Sequence, residues 1–189
     1  MVNNALGQFE KTAKEAYQLV SHVTKGLKSD KFANPWKELL NEDTEEGQLM
    51  VIPAAGVKSR WWTQVEAMTQ CSPNLDGLLA VCGEVRHSAL PRTIESIITL
   101  ITTKEEELTR QLDHIVPLGT LLCDFGRTCE GDGFLILKLD EMVEALKPKL
   151  TNTWIKNQLA NSDDFDESIC EKVIKVCLVD FFDSFSFHQ

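Results

Sequence analysis

Apolar side chains recur every three or four residues through most of this chain, the spacing that lines one face of an α-helix. Phe9, Ala13, Ala16, Val20, Val23 and Leu27 form the first row and predict a single helix, fraying near Gly26 and Ser29-Asp30. Asn34-Pro35 reads as an N-cap followed by proline at the first helical position, opening a short helix with Trp36, Leu39 and Leu40. No row runs through residues 41–56. Ser59 caps a helix over Arg60 to Gln70, with Val65 and Met68 on its apolar side. Ser72-Pro73 starts another, carrying Leu75, Leu78, Leu79 and Cys82, and Ser88 to Pro91 starts a third with Ile94, Ile97, Ile98 and Ile101. Thr103 and Glu106 match a capping box ahead of Leu108, Leu112 and Ile115. Pro117 and Gly119 punctuate that run before a short apolar turn at Leu121, Leu122 and Phe125.

Beyond the glycine-bearing loop 126–133, Phe134 to Leu137 has the look of a buried strand. Leu135, Leu139, Met142, Val143 and Leu146 nevertheless keep helical spacing, and a lone strand has nothing to pair with, so a helix is predicted up to Pro148. Thr151 or Thr153 opens a short helix with Trp154, Ile155 and Leu159. The acidic stretch Ser162 to Asp166 suits the positive end of a helix dipole. From about Glu167 a last helix then turns Ile169, Val173, Ile174, Cys177, Leu178 and Phe181 inward. The pattern predicts an all-α fold, a compact irregular multi-helix bundle of about seven to nine helices. It forms one domain over 1–189, with 1–58 as an optional N-terminal subdomain.

Composition narrows this picture. With 43% hydrophobic and 25% charged residues, the chain has ordinary material for a core. The net charge of −10 is unevenly spread. Residues 1–37 hold six lysines against three acidic residues, whereas residues 160–189 hold Lys172 and Lys175 against seven. Phosphate backbones need clustered Lys and Arg, which disfavours nucleic acid as a partner. No run approaches the roughly 20 apolar residues of a transmembrane segment. The start, Met1-Val2-Asn3-Asn4, lacks a basic stretch followed by an apolar one, so an intracellular, cytoplasmic setting is expected. Among the six cysteines, Cys170 and Cys177 fall seven apart on one helix, about 10 Å at 1.5 Å per residue. A disulfide spans less than about 7 Å, so these two do not bridge. Cys71, Cys82, Cys123 and Cys170 sit beside aliphatic residues and read as buried, reduced thiols.

Chemistry-bearing patterns are sparse. The sequence has no Gly-x-Gly-x-x-Gly, no phosphate loop, no Gly-x-Ser-x-Gly and no His-Glu-x-x-His. Asp132-Gly133 resembles the middle of a calcium loop, but Leu139 then stands where a bidentate Glu is required. Cys82 with His87, and Cys123 with Cys129, miss the tight spacing of structural zinc ligands. Cys129 has Arg127 nearby, and His114 is the one histidine near it in sequence, yet nothing orients a base toward the thiol. No catalytic, cofactor or metal residue is therefore assigned, and no cofactor is expected.

Two surface features remain. Lys11, Lys14, Lys25 and Lys28 make a basic stripe opposite the apolar row, read as a solvated face that an anionic surface could also meet. Trp61 and Trp62 are adjacent, so a helix points them about 100° apart and one core stripe cannot centre both. Four phenylalanines, Phe181, Phe182, Phe185 and Phe187, fall within seven residues. Trp61, Trp62, Phe182, Phe185 and Phe187 form the candidate interface of a non-enzymatic interaction or assembly module with a protein partner or a second copy. The alternative is a carrier for an apolar ligand such as a lipid, held between Ile97, Ile98, Ile101, Leu121 and Leu135.

Overall fold

The computed structural model describes residues 2–42, 61–87, 90–130 and 139–179. Among these residues every regular element is helical. In chain order they are α1 (Val2–Thr12), α2 (Lys14–Gly26), α3 (Asp30–Glu42), α4 (Trp61–Cys71), α5 (Leu75–Val85), α6 (Pro91–Glu130), α7 (Leu139–Leu146), α8 (Asn152–Lys156) and α9 (Glu167–Cys177). No helix among the described residues is long and apolar enough to cross a membrane. The chain divides into two compact units, one of residues 15–112 and one of residues 1–14 with 113–189.

In the 15–112 unit, α3 packs on α5. The contact depends on Gly77, where a Cβ would fall 2.6 Å from Leu39 Cδ1. The expected helix start at Asn34-Pro35 is corrected: α3 begins at Asp30 and carries Pro35 inside it. Phe32 and Trp36, one turn apart and both buried, explain the earlier start, because the helix hides both rings on one side. Ser29 supports that start with its carbonyl, which accepts the Phe32 and Ala33 N–H groups, each at 2.9 Å. Between α4 and α5, Ser72 to Asn74 form a 3₁₀ turn around Pro73. The Asn74 side-chain amide donates to the Gln70 carbonyl at 2.9 Å, near the C-terminal end of α4. Leu78 and Cys82 of α5 are buried as expected.

The 40-residue α6 joins the two predicted helices across a kink and takes in the short apolar turn after them. Its backbone leaves helical geometry once, at Lys104 (φ −132°, ψ 23°). Here the capping-box expectation fails. The Thr103 hydroxyl donates back to the Thr99 carbonyl at 2.6 Å and does not cap the turn ahead, while Thr102 donates to the Ile98 carbonyl at 2.8 Å. Consecutive back-bonded threonines bend a helix. Glu105, Glu106 and Glu107 then place negative charge at the start of the second stretch, where the dipole favours it. Pro117 does not end the helix either. Leu112, Ile115, Leu118 and Leu122 are all buried, and that row holds the backbone helical across the bond the proline lacks.

In the 1–14/113–189 unit, α1 packs against α9, and the Thr12 hydroxyl donates to the Ile169 carbonyl at 2.9 Å. The helix expected from Phe9 to Leu27 is instead interrupted at Ala13, giving α1 and α2. The extension of the 139–146 helix back through Leu135 falls outside the described residues. Thr151 caps α8 by accepting the Trp154 N–H at 3.2 Å, and Asp166 caps α9 by accepting the Ser168 N–H at 3.0 Å. Ile169, Val173, Ile174 and Cys177 are buried as predicted. Leu178 is not: it is 41% exposed and its neighbour Val179 49%, because α9 gives way to a wider π-type turn there and the inward row stops at Cys177.

Gly26 tests the packing. A Cβ there would meet the buried Phe32 ring at 2.8 and 2.9 Å, and an aromatic ring cannot fold aside. Gly26→Ala is expected to lower the unfolding free energy by about 1–3 kcal/mol. Gly83→Ala, with nothing within 4 Å, should be neutral or gain up to about 1 kcal/mol. Urea melts of both variants check this, and equal effects would contradict it.

Candidate functional site

Two buried polar side chains on α6 stand out, both within otherwise apolar rows. Gln111 is 2% exposed and His114 1%. In the 15–112 unit, Gln111 Oε1 accepts the Ala16 N–H at 3.1 Å. Ala16 is the third residue of α2, so its N–H is one of the four a helix start leaves without a partner. Gln111 Nε2 donates to Glu15 Oε2 at 2.7 Å and to Glu107 Oε1 at 2.6 Å. Glu107 also holds Arg110, three residues along the same helix. The amide thus uses its oxygen and both of its hydrogens.

In the 1–14/113–189 unit, His114 Nε2 accepts the Asp166 N–H at 2.7 Å. The ring meets this N–H through the lone pair of Nε2. Phe165 stacks on the imidazole, ring centroids 5.5 Å apart and planes 29° apart, and Lys156 Nζ stands 5.0 Å over the Phe165 ring. Asp166 takes the N-cap of α9 and also accepts the Ser168 hydroxyl at 2.6 Å. Partial burial pushes the Asp113 carboxyl above its usual range. The nearby Asp164 adds to that shift.

Neither arrangement presents a nucleophile beside a base. Both act on helix starts, each supplying an acceptor to a backbone N–H, at buried Ala16 and at half-buried Asp166. Sequence reading passed over Gln111 and treated His114 only as a base near Cys129. A signal was there: positions 111 and 114 fall on the same spacing as Leu108, Leu112, Ile115 and Leu118, so both had to be buried, and buried polar groups need partners.

The residues singled out from sequence distribute as follows. Lys11 lies on α1, Lys14 and Lys25 on α2, and Lys28 in the turn after it, and all four are exposed. Because α1 and α2 are separate helices, the four are not one face of a single helix. Trp61 and Trp62 open α4, but their side chains are outside the described residues, as are Phe182, Phe185 and Phe187 in full. Of the proposed lipid-lining residues, Ile97 and Ile101 are buried in the 15–112 unit, Leu121 is half-buried in the other, and Leu135 is not described. An open depression of about 330 Å³ lies over the α6 kink and is lined by Thr103, Lys104, Glu105, Glu106, Glu107 and Arg110, a polar set. Among the described residues no group of three His, Cys, Asp or Glu could hold a metal ion. Cys71, Cys82, Cys123, Cys170 and Cys177 are free and buried. No protein-family model, no curated protein and no solved structure matches this chain.

Burial pushes the thiols of Cys71, Cys82, Cys123 and Cys170 up to about 12. A thiol that stays protonated is a poor nucleophile. In the native protein at pH 8, peptide mapping should find these four unmodified by iodoacetamide and labelled together once urea unfolds the chain. The linkage has a definite sign. An unfolded thiol ionises near pH 9 and the folded one does not, so stability is whole below pH 9 and declines as pH rises toward 12. Rapid native labelling at any of the four would contradict the burial.

Proposed function

We propose that this protein is a non-enzymatic interaction or assembly module that associates with a second copy of itself through an apolar surface at the C-terminal end of α9. The observation behind this reading is that the buried row of α9 ends at Cys177, while Leu178 and Val179 remain 41% and 49% exposed. They lead directly into the stretch bearing Phe181, Phe182, Phe185 and Phe187. Contiguous apolar surface outside a core marks contact sites, and aromatic residues dominate their energetics. Trp61 and Trp62, adjacent at the start of α4, are a second aromatic contribution to the same reading. Among the described residues the buried thiols of Cys71, Cys82, Cys123, Cys170 and Cys177 form no disulfide, which suits a reducing, intracellular setting.

Light scattering combined with native mass spectrometry over a range of protein concentrations tests the proposal. Wild type should exceed the monomer mass of 21.3 kDa. Val179→Asp and Phe185→Asp, each placing a charge in the apolar stretch, should return it to monomer with the helical circular dichroism intact. A wild type that stays monomeric at every concentration would overturn self-association.

A further inference from the structure

The outward face of α9 changes character along its length. Ile169, Cys170, Val173, Ile174 and Cys177 occupy the buried side, so at about 100° per residue Glu167, Glu171, Lys175 and Leu178 share an exposed arc. That face opens on carboxylates, with exposed Asp163 and Asp164 in the 3₁₀ turn just before it. Lys172 and Lys175 follow, and it ends on exposed Leu178 and Val179. The 15–112 unit carries a surface of the opposite sign. Lys25, Lys28 and Lys31 are exposed around the turn from α2 into α3, and Asp30 is the single acidic residue between Glu15 and Glu38. The turn is firmly held: the Ser29 N–H donates to the Gly26 carbonyl at 2.9 Å, and Gly26 lies against the buried Phe32 ring. Among the described residues, none of these three lysines forms an ion pair.

We propose that a second copy of this chain docks its α2–α3 turn across the start of α9, with Lys25, Lys28 and Lys31 facing Asp163, Asp164, Glu167 and Glu171. The pairing rests on the self-association read from the apolar end of the same helix, and gives that association an orientation. Charge complementarity selects the occupant. The chain carries −10 overall, so two copies repel unless surfaces of opposite sign are brought together. The α2–α3 turn is such a surface. Other lysines are engaged within their own unit: Lys147 pairs with Glu144, and Lys156 stands over the Phe165 ring. Lys172 and Lys175 set the register, because they repel the incoming lysines if the turn slides along α9 toward Leu178. Leu178 and Val179 are thereby left for apolar contact beside it.

Two charge-reversed full chains test the pairing by sedimentation equilibrium. One carries Lys25→Glu, Lys28→Glu and Lys31→Glu. The other carries Asp163→Lys, Asp164→Lys and Glu171→Lys, with Glu167 kept because it holds Asn152. All six side chains are exposed, so the helical circular dichroism should match wild type. At low salt each variant alone should self-associate about tenfold more weakly than wild type, the scale of a few exposed charge pairs. Mixed in equal amounts the two should recover wild-type affinity, since contacts between unlike chains again join opposite charges. If a variant does not fold, wild type alone serves: its dissociation constant should rise about tenfold from low salt to about 0.5 M, where exposed charges are screened. Variants that associate as tightly as wild type, a mixture no tighter than its parts, or a wild type indifferent to salt would overturn the pairing and leave the apolar reading standing. Association that survives Val179→Asp but weakens on charge reversal would support the pairing and sink the apolar reading instead. A wild type monomeric at every concentration would overturn both.

Discussion

Every helix that starts inside a protein leaves N–H groups facing away from water, and each needs an acceptor. Two such starts are satisfied by side chains of α6. Gln111 reaches Ala16 in α2, and His114 reaches Asp166 at the cap of α9, each within its own compact unit. An unsatisfied buried donor costs roughly 1–3 kcal/mol, a large share of a domain's net stability. The interruption at Ala13 follows the same logic. A helix can begin afresh at Lys14 because Gln111 meets the third N–H of the new start.

Because those acceptors sit on α6, its apolar row does two things at once. Leu108, Leu112, Ile115, Leu118 and Leu122 bury the helix, and their burial carries Gln111 and His114 inside with them. Neither polar side chain is left unpaired there. The kink at Lys104 lies ahead of this stretch, in a run of exposed residues where a bend disturbs no buried contact. The thiols match this picture of a dry interior: wherever burial raises a cysteine, the neutral form persists and the group behaves as an apolar one.

Much of the fold was legible from spacing. The α9 start near Glu167, the Thr151 cap and the burial of Ile94, Ile97 and Ile101 follow directly from apolar periodicity and cap chemistry. What misled were local stop signals. Asn34-Pro35 and Pro117 each look like a boundary when only a few residues are weighed, yet each lies inside a helix, whereas the break expected at Thr103 does appear, as the kink at Lys104. In both cases the burial of flanking side chains, Phe32 with Trp36 or the α6 row, outweighed the roughly 3 kcal/mol that an interior proline costs a helix. The helix-start acceptors were harder to see for a different reason. Their partners are about 95 and 52 residues away in sequence, and one-dimensional periodicity reveals that a polar side chain is buried but not what it meets.

The bond between His114 and Asp166 can be observed without perturbing the protein. Hydrogen bonds of the N–H···N kind transmit scalar coupling between the two nitrogens. A through-bond ¹⁵N–¹⁵N correlation experiment at neutral pH should therefore connect the Asp166 amide with Nε2 of His114. A resolved coupling between that pair is the result predicted here. A protonated Nε2, or an Asp166 amide coupled to no imidazole nitrogen, would contradict the claim that α6 supplies the acceptor at the start of α9.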